Sequence, residues 1–311
     1  MISIVTPVSP IKSHPDTAIL EETITSVRTL FPHSEIFLTF DGVREEQESR
    51  RQDYDEFIHR TLWLADHVWG NVVPFIFEEH QHQSGMMRHI IDKIETTLLM
   101  YVEQDTPLVS DEPTDFAAIE QFILDGSSNV VRLYHEGVMP TEHAHLMHGR
   151  NDQFIETSQW SQRPHIASTA YYRRILKSHF SDDSKCFIED NMYGVLEEAE
   201  RIDGYQGWVQ HRIHIYDPGN GNMKRSYHTD GRAGESKFDD TRCTDAPGID
   251  RQGRQPRPRP TNLGCATQLA AGQNDGGGLP VNAAFTAAPG SLPERPGRIR
   301  PAYGSGLRDL P

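Results

Sequence analysis

Short β-branched runs alternate with stretches of helical period over the first hundred residues. Ile2-Ser3-Ile4-Val5 is apolar and stopped by Thr6-Pro7, as expected of a buried strand that opens into a loop. From Asp16 to Phe31 the apolar positions Ile19, Leu20, Ile24, Val27, Leu30 and Phe31 recur at helical spacing. Glu35 to Phe40 reads as a second strand ended by Asp41-Gly42, and Glu45 to Leu64 as a charged, then amphipathic helix. Val72 to Phe77 reads as a third strand, which Pro74 pushes to a sheet edge. Ser84 to Tyr101 starts as a helix through Met86, Ile90, Ile91 and Ile94. It runs into the apolar strand Leu98 to Val102, which ends in Glu103-Gln104-Asp105.

The second half is less regular. Phe116 to Leu124 predicts a helix, Asn129 to Tyr134 a strand, and His135 to Asn151 a polar, His-rich connection. Ile166 to Phe180 mixes a strand start with a helix carrying Tyr171 and Tyr172, read as core and surface of that helix. Glu189 to Glu200 predicts another helix. Arg212 to Tyr216 and Lys224 to His228 predict a hairpin around Asp217-Pro218-Gly219-Asn220-Gly221. Strands alternating with helices imply an α/β fold, a Rossmann-type, mostly parallel sheet flanked by helices on both faces. Ligands of such sheets bind outside the carboxyl ends of the strands, which puts Thr6-Pro7, Asp41-Gly42 and Glu103-Gln104-Asp105 on one rim.

Composition changes this picture at one place. The chain has 311 residues and a net charge of −15, but residues 241–311 hold 9 Arg, no Lys and 5 acids, so they carry +4 and the first 240 carry −19. The same segment holds 11 Gly and 10 Pro, while every His and Trp lies before residue 240. The expected organisation is therefore a folded domain over 1–240, with a 1–110 half and a 111–240 half, and a disordered low-complexity tail over 241–311. The tail reads either as a basic arm or as the product of a shifted reading frame in GC-rich DNA. Three cysteines, Cys186, Cys243 and Cys265, make neither a disulfide framework nor a zinc motif, and a cytoplasmic location is the default. No membrane span and no signal peptide is expected.

Two acidic pairs carry the candidate chemistry. Glu103-Gln104-Asp105 is either a solvated loop or a rim that offers oxygen ligands to a hard divalent cation, Mn²⁺ or Mg²⁺. Glu189-Asp190 follows the apolar lead Cys186-Phe187-Ile188. It is either an N-terminal helix cap or a general base for an attacking hydroxyl. His143, His145 and His148 with Glu142 form a looser group that is more at home in solvent.

The order of these features is more informative than any one of them. Val5-Thr6-Pro7, Phe40-Asp41-Gly42, Gly85 with Arg88, Val102-Glu103-Gln104-Asp105 and Phe187-Ile188-Glu189-Asp190 together resemble the nucleotide-sugar-dependent glycosyltransferases of the GT-A fold, family 2 type. The resemblance spans about residues 2–238. It implies a soluble, metal-dependent hexosyl- or pentosyltransferase acting on a nucleotide-sugar donor, a UDP-sugar by preference. Thr6, Pro7 and Asp41 would embrace nucleobase and ribose, and Arg88 would assist the diphosphate. Asp105 would hold the metal with His228, preferred over His214, and Glu103 would contact ribose or metal. Asp190 would be the general base of an inverting reaction, and Glu189 would position the acceptor. Arg163 and His165 would touch that acceptor, which is a glycan or a hydroxymethylated base in phage DNA. The usual Asp-x-Asp is Glu-Gln-Asp here, and the Gln-x-x-Arg-Trp segment of processive synthases is absent. A duplex acceptor would need a local basic patch, for which Arg132, Arg150, Arg163, Arg173 and Arg174 are candidates. The competing classes are a nucleotidyltransferase, whose Gly-rich phosphate loop is missing after the first strand, and a non-catalytic sugar-nucleotide or protein-binding module.

Overall fold

In the computed structural model of the chain, residues 1–229 are described, and all fall within the first of two compact units, Met1–Pro256. The expected tail, with Cys243 and Cys265, and the end of the expected domain lie outside the described residues.

Nine strands form one sheet in the order β3-β2-β1-β4-β8-β5-β9-β7-β6. They are β1 (Ile2–Val8), β2 (Ile36–Phe40), β3 (Val72–Ile76), β4 (Leu98–Tyr101), β5 (Val130–Arg132), β6 (Met147–Asn151), β7 (Phe154–Thr157), β8 (His165–Ser168) and β9 (Ile213–Tyr216). Four pairings are parallel and four antiparallel. The parallel character is concentrated in β1 to β4. There, α1 (Ala18–Leu30), α2 (Arg51–Leu64) and α3 (His82–Ile90) make the crossovers that parallel strands require. The later helices are α4 (Phe116–Leu124), α5 (Thr169–His179), α6 (Ile188–Asp203) and α7 (Tyr205–Val209).

Both faces of the sheet are covered. Alternate residues of each strand point to opposite sides, so Ile4 and Val8 pack with Leu20, Ile24 and Val27 of α1 and Phe57 of α2. Val5 faces the other way, into the cluster of Met87 and Ile90 of α3, Tyr172 and Ile175 of α5, and Met192 and Leu196 of α6. Burial of side chains this size stabilises by about 1.5–3 kcal/mol each.

Three expectations are corrected. First, Thr6-Pro7 does not end β1, which runs to Val8. The even positions of β1 bond toward β2, as in Ile4 N–H to the Glu35 carbonyl and Asp41 N–H to the Val8 carbonyl, both 2.8 Å. The odd positions face β4, where the last bond is Val102 N–H to the Val5 carbonyl, 3.0 Å. Pro7 falls on the β4 side at the next rung, where it has no N–H to donate, and the ladder ends. Second, the His-rich connection contains β6, and β7 follows it. Their polar sequences, MHGRN and FIET, do not alternate clearly enough to be read as strands. Third, 224–228 does not form a hairpin with β9. It lies along 105–109 instead, through Val109 N–H to Arg225 O, Tyr227 N–H to Pro107 O and Thr229 N–H to Asp105 O. Tyr171 and Tyr172 are both buried.

Candidate functional site

The carboxyl end of β4 carries the first acidic pair. Beyond Tyr101 the chain leaves the ladder at Val102, turns, and is fixed by Thr23 Oγ1 donating to the Gln104 carbonyl at 2.8 Å and Gln104 Nε2 donating to the Ser9 carbonyl at 3.2 Å. Gln104 is thus the buried pin of the turn, and its two neighbours are presented to the rim. The 105–109 ladder sets His228 beside Asp105, with Nε2 at 3.2 Å from Oδ2. Cis ligands of an octahedral ion with bonds of ~2.1 Å are about 3 Å apart, so this pair suits two corners of such a shell. Among the described residues no group of three or more His, Cys, Asp or Glu is assembled for a metal. A two-ligand site fits Mg²⁺-like ions, which are usually held by one or two carboxylates plus substrate phosphates.

The second acidic pair lies in the first turn of α6, where unpaired amides favour negative charge. The cap position is Phe187, which makes no side-chain cap bond. Glu189 therefore does not serve as a cap: its Oε2 accepts from the backbone N–H of Gln162 at 2.7 Å. Asp190, one residue on, is exposed. Loss of solvent raises the pKa of both carboxyls, at Asp190 through the partial cover its neighbours give; at Glu189 the Gln162 amide and the Arg132 charge oppose the rise.

Two glutamines join these acids. Gln83, at the start of α3, donates its amide to Glu103 Oε1 and accepts from Gln162 Nε2 at 2.9 Å. Gln162 is the same residue whose backbone N–H reaches Glu189. Glu103 and Glu189 are thus three hydrogen bonds apart, although 86 residues separate them. Burial, then the charges of Asp105 and Glu189, push the Glu103 carboxyl up to about 8. Beside them stands Arg132 at the end of β5, 1% exposed and bonded to the Gln159 carbonyl at 2.9 Å; burial lowers its pKa to about 10.

The remaining candidates are placed elsewhere. Thr6 and Pro7 are buried within β1 and present no surface to a ligand, because the strand continues past them. Asp41 is 2% exposed, and its carboxylate is filled by the amides of Gly42 (2.9 Å), Gln81 (2.6 Å) and His82 (3.1 Å), with His80 Nδ1 at 2.8 Å. It anchors the 79–82 loop and so the start of α3. Gly42 permits that approach: a Cβ there would lie 2.2 Å from the Glu79 carbonyl carbon. Arg88 bonds to the Ser181 carbonyl and pairs with Asp182, which ties α3 to the loop before α6.

Arg163 forks onto Glu136 and stacks over Tyr134 at 4.3 Å. His165 is fully buried on β8, sandwiched between Tyr101 and Tyr172 and bonded to the Tyr172 hydroxyl at 2.5 Å; burial lowers its pKa to about 4. An acceptor cannot touch it there. His214 is buried on β9, its Nδ1 3.0 Å from Ser128 Oγ. The five arginines considered as a basic patch do not form one. Arg132 is buried, Arg150 pairs with Asp217 and Arg163 with Glu136. Arg173 bonds the carbonyls of Ile91 and Ile94, and Arg174 lies over Tyr171.

Sequence reasoning missed Gln83 and Gln162 as members of the site and took Arg132 only for a basic patch. A neutral amide carries no spacing signal of its own, and only the meeting of α3 with the 158–164 segment brings the two glutamines together.

No protein-family model and no curated protein matches the chain. Among solved structures it is similar to Staphylococcus aureus TarS 1–349 in complex with UDP-GlcNAc, at 12% identity, TM-score 0.46, over 73% of this chain and 57% of that one. It is also similar to the mannosyltransferase PcManGT from Pyrobaculum calidifontis in complex with GDP-Man and Mn²⁺, at 11% identity, TM-score 0.42, over 70% and 55%. A UDP-glucose pyrophosphorylase complexed with UDP-glucose is similar at 11% identity, TM-score 0.43, over 74% and 94%. The chain spans between 36% and 60% of the length of the TarS chains it matches. Among the described residues no helix is long and apolar enough to cross a membrane.

Proposed function

We propose that this chain is a glycosyltransferase that moves one sugar from a nucleotide-sugar donor to a hydroxyl acceptor at the rim shared by Glu103-Gln104-Asp105 and Glu189-Asp190. The observation that carries the reading is the bonded path from Glu103 through Gln83 and Gln162 to Glu189, which brings both acidic pairs to one place at the carboxyl end of β4.

Asp105 and His228, with Glu103 beside them, would hold Mn²⁺ or Mg²⁺. When bound, that ion neutralises charge on the departing diphosphate. Asp190 is the base: the acceptor O–H gives its proton to the Asp190 carboxylate as the oxygen bonds to the anomeric carbon, and the bond from that carbon to the diphosphate breaks. The upward shift of the Asp190 carboxyl makes it a stronger base than an ordinary aspartate. In-line attack inverts the anomeric centre. Glu189 is held by the Gln162 amide to orient the acceptor. The acceptor is a glycan hydroxyl in preference to a base in duplex DNA, because the arginines of the second half are occupied by intramolecular partners. Asp41 acts from within the fold, as the anchor of the 79–82 loop that carries the start of α3.

Thermal shift of the full chain with a panel of sugar nucleotides, with and without Mn²⁺, tests donor and metal together. Turnover is then measured for wild type, Asp105→Ala and Asp190→Asn. Asp190→Asn is expected to lower turnover by about 10²–10⁴-fold while leaving the donor shift in place. Asp105→Ala is expected to lose the Mn²⁺-dependent part of the shift. Transfer of a nucleotidyl group with diphosphate release, or binding with no turnover in wild type, would replace the reading. A retained anomeric configuration by NMR would remove Asp190 from its role.

A further inference from the structure

The contacts around Glu103 have a direction. Trp160 is buried between β7 and β8, and its indole Nε1–H, which can only donate, lies 3.3 Å from Gln162 Oε1. That bond settles which end of the Gln162 amide is oxygen, so its nitrogen faces Gln83 and donates to Gln83 Oε1 at 2.9 Å. Gln83 is oriented in turn, and its nitrogen is the end that meets Glu103 Oε1. Gln83 and Gln162 are 8% and 6% exposed, so water offers neither amide an alternative partner on this side. Gln83 thus holds Glu103 by Oε1, in a carboxyl group that feels the charges of Asp105 and Glu189.

We infer that Trp160, Gln162 and Gln83 form a one-way hydrogen-bond relay that fixes the orientation of Glu103 toward the diphosphate end of a nucleotide-sugar donor, which makes Gln83 and Gln162 positioning residues of that subsite. The inference deepens the donor-site reading above and rests on it. It assigns Gln162 a double task. Its side chain sets Glu103 through Gln83, and its backbone N–H sets Glu189, so one residue fixes the spacing of the two acids. A carboxyl group left to swing would meet the ligand in several orientations, and supporting shells of this kind are worth about 10–100-fold in affinity or activity.

The test compares Gln83→Met, Gln162→Met and Trp160→Phe with wild type in the full chain. Calorimetry measures binding of Mn²⁺ with UDP and, in parallel, Mn²⁺ with GDP; ¹⁵N spectra of the free proteins follow the side-chain amides. Binding should weaken in the order Gln83→Met, Gln162→Met, Trp160→Phe, following distance from Glu103, with about a 10–100-fold loss for the first. A role in packing alone predicts the reverse order, because Trp160→Phe removes the most buried volume. Trp160→Phe should shift the Gln83 amide resonances, two hydrogen bonds away along the relay. Unshifted Gln83 amides overturn the relay whatever the protein binds. Wild-type affinity in Gln83→Met overturns the positioning role alone. A wild type that binds neither nucleotide overturns the donor-site reading and the role with it, while the spectra still judge the relay.

Discussion

The two halves of the sheet are built differently. From β1 to β4 the strands are parallel and their core is mostly apolar, with Ile4, Ile36, Leu38, Phe40, Leu99 and Met100 fully buried, while the buried ionisable groups His14, Asp41 and His82 lie outside the strands. From β5 to β9 the strands are short and mixed in direction, and the interior holds Arg132, His165, His214, Asp217 and Arg225. A buried polar side chain is tolerated only with partners, so this half depends on specific bonds such as His165 to Tyr172 and Arg132 to Gln159. The first half is a scaffold held by area, and the second a set of fitted polar contacts. Each contributes one acidic pair to the rim.

Acid should separate the halves most strongly. Burial lowers the pKa of His135, His165, His211 and His214 to about 4 in the second half, against His14 (about 3) and His82 (about 4) in the first. The folded state then binds fewer protons than the unfolded state below the ordinary value of 6.5. The stability these groups permit is complete above that pH and is lost as pH falls toward 4. The total is on the order of several kcal/mol. Hydrogen exchange followed by mass spectrometry from pH 7 to 4.5 should show β5, β8 and β9 opening before β1 and β2. Uniform opening would erase the distinction.

Cavity formation addresses the other half. Leu38→Ala at the centre of β2 should cost about 2–5 kcal/mol in a urea melt. A cost below about 1 kcal/mol would mean that the apolar half is not held by packing. Smaller still is Gly42→Ala, expected to destabilise by about 1–3 kcal/mol because the new methyl meets the Glu79 backbone. It should also weaken donor binding, since the displaced 79–82 loop carries the start of α3 and Gln83. Lost stability with unchanged donor binding would uncouple Asp41 from the rim.

The same contrast governs what the sequence made legible. The strands and helices up to residue 102 were readable because buried parallel strands are continuous apolar runs, and helix α4 because its period is unbroken over Phe116–Leu124. β6 and β7 were not, since a polar edge pair has little apolar pattern to show. The 224–229 segment misled: its turn residues suit a hairpin, but its partner proved to be 105–109, over a hundred residues away. The acids were recognisable by type, whereas the amides between them were not, because a glutamine acquires meaning only from what stands opposite it. Asp41 looked like a ligand-facing residue because it ends a strand, and tertiary closure of the 79–82 loop gave its oxygens other partners.

Pro7 remains the least conspicuous of the features that shape the rim. A strand lying between two neighbours could zip to both along its whole length, and a residue with an N–H at this position would offer Val102 one more rung. The imino acid withholds it, and the neighbouring strand ends there: β4 stops at Tyr101 and the chain turns to set its acids. Replacing Pro7 by alanine would extend the sheet by a residue and narrow the mouth.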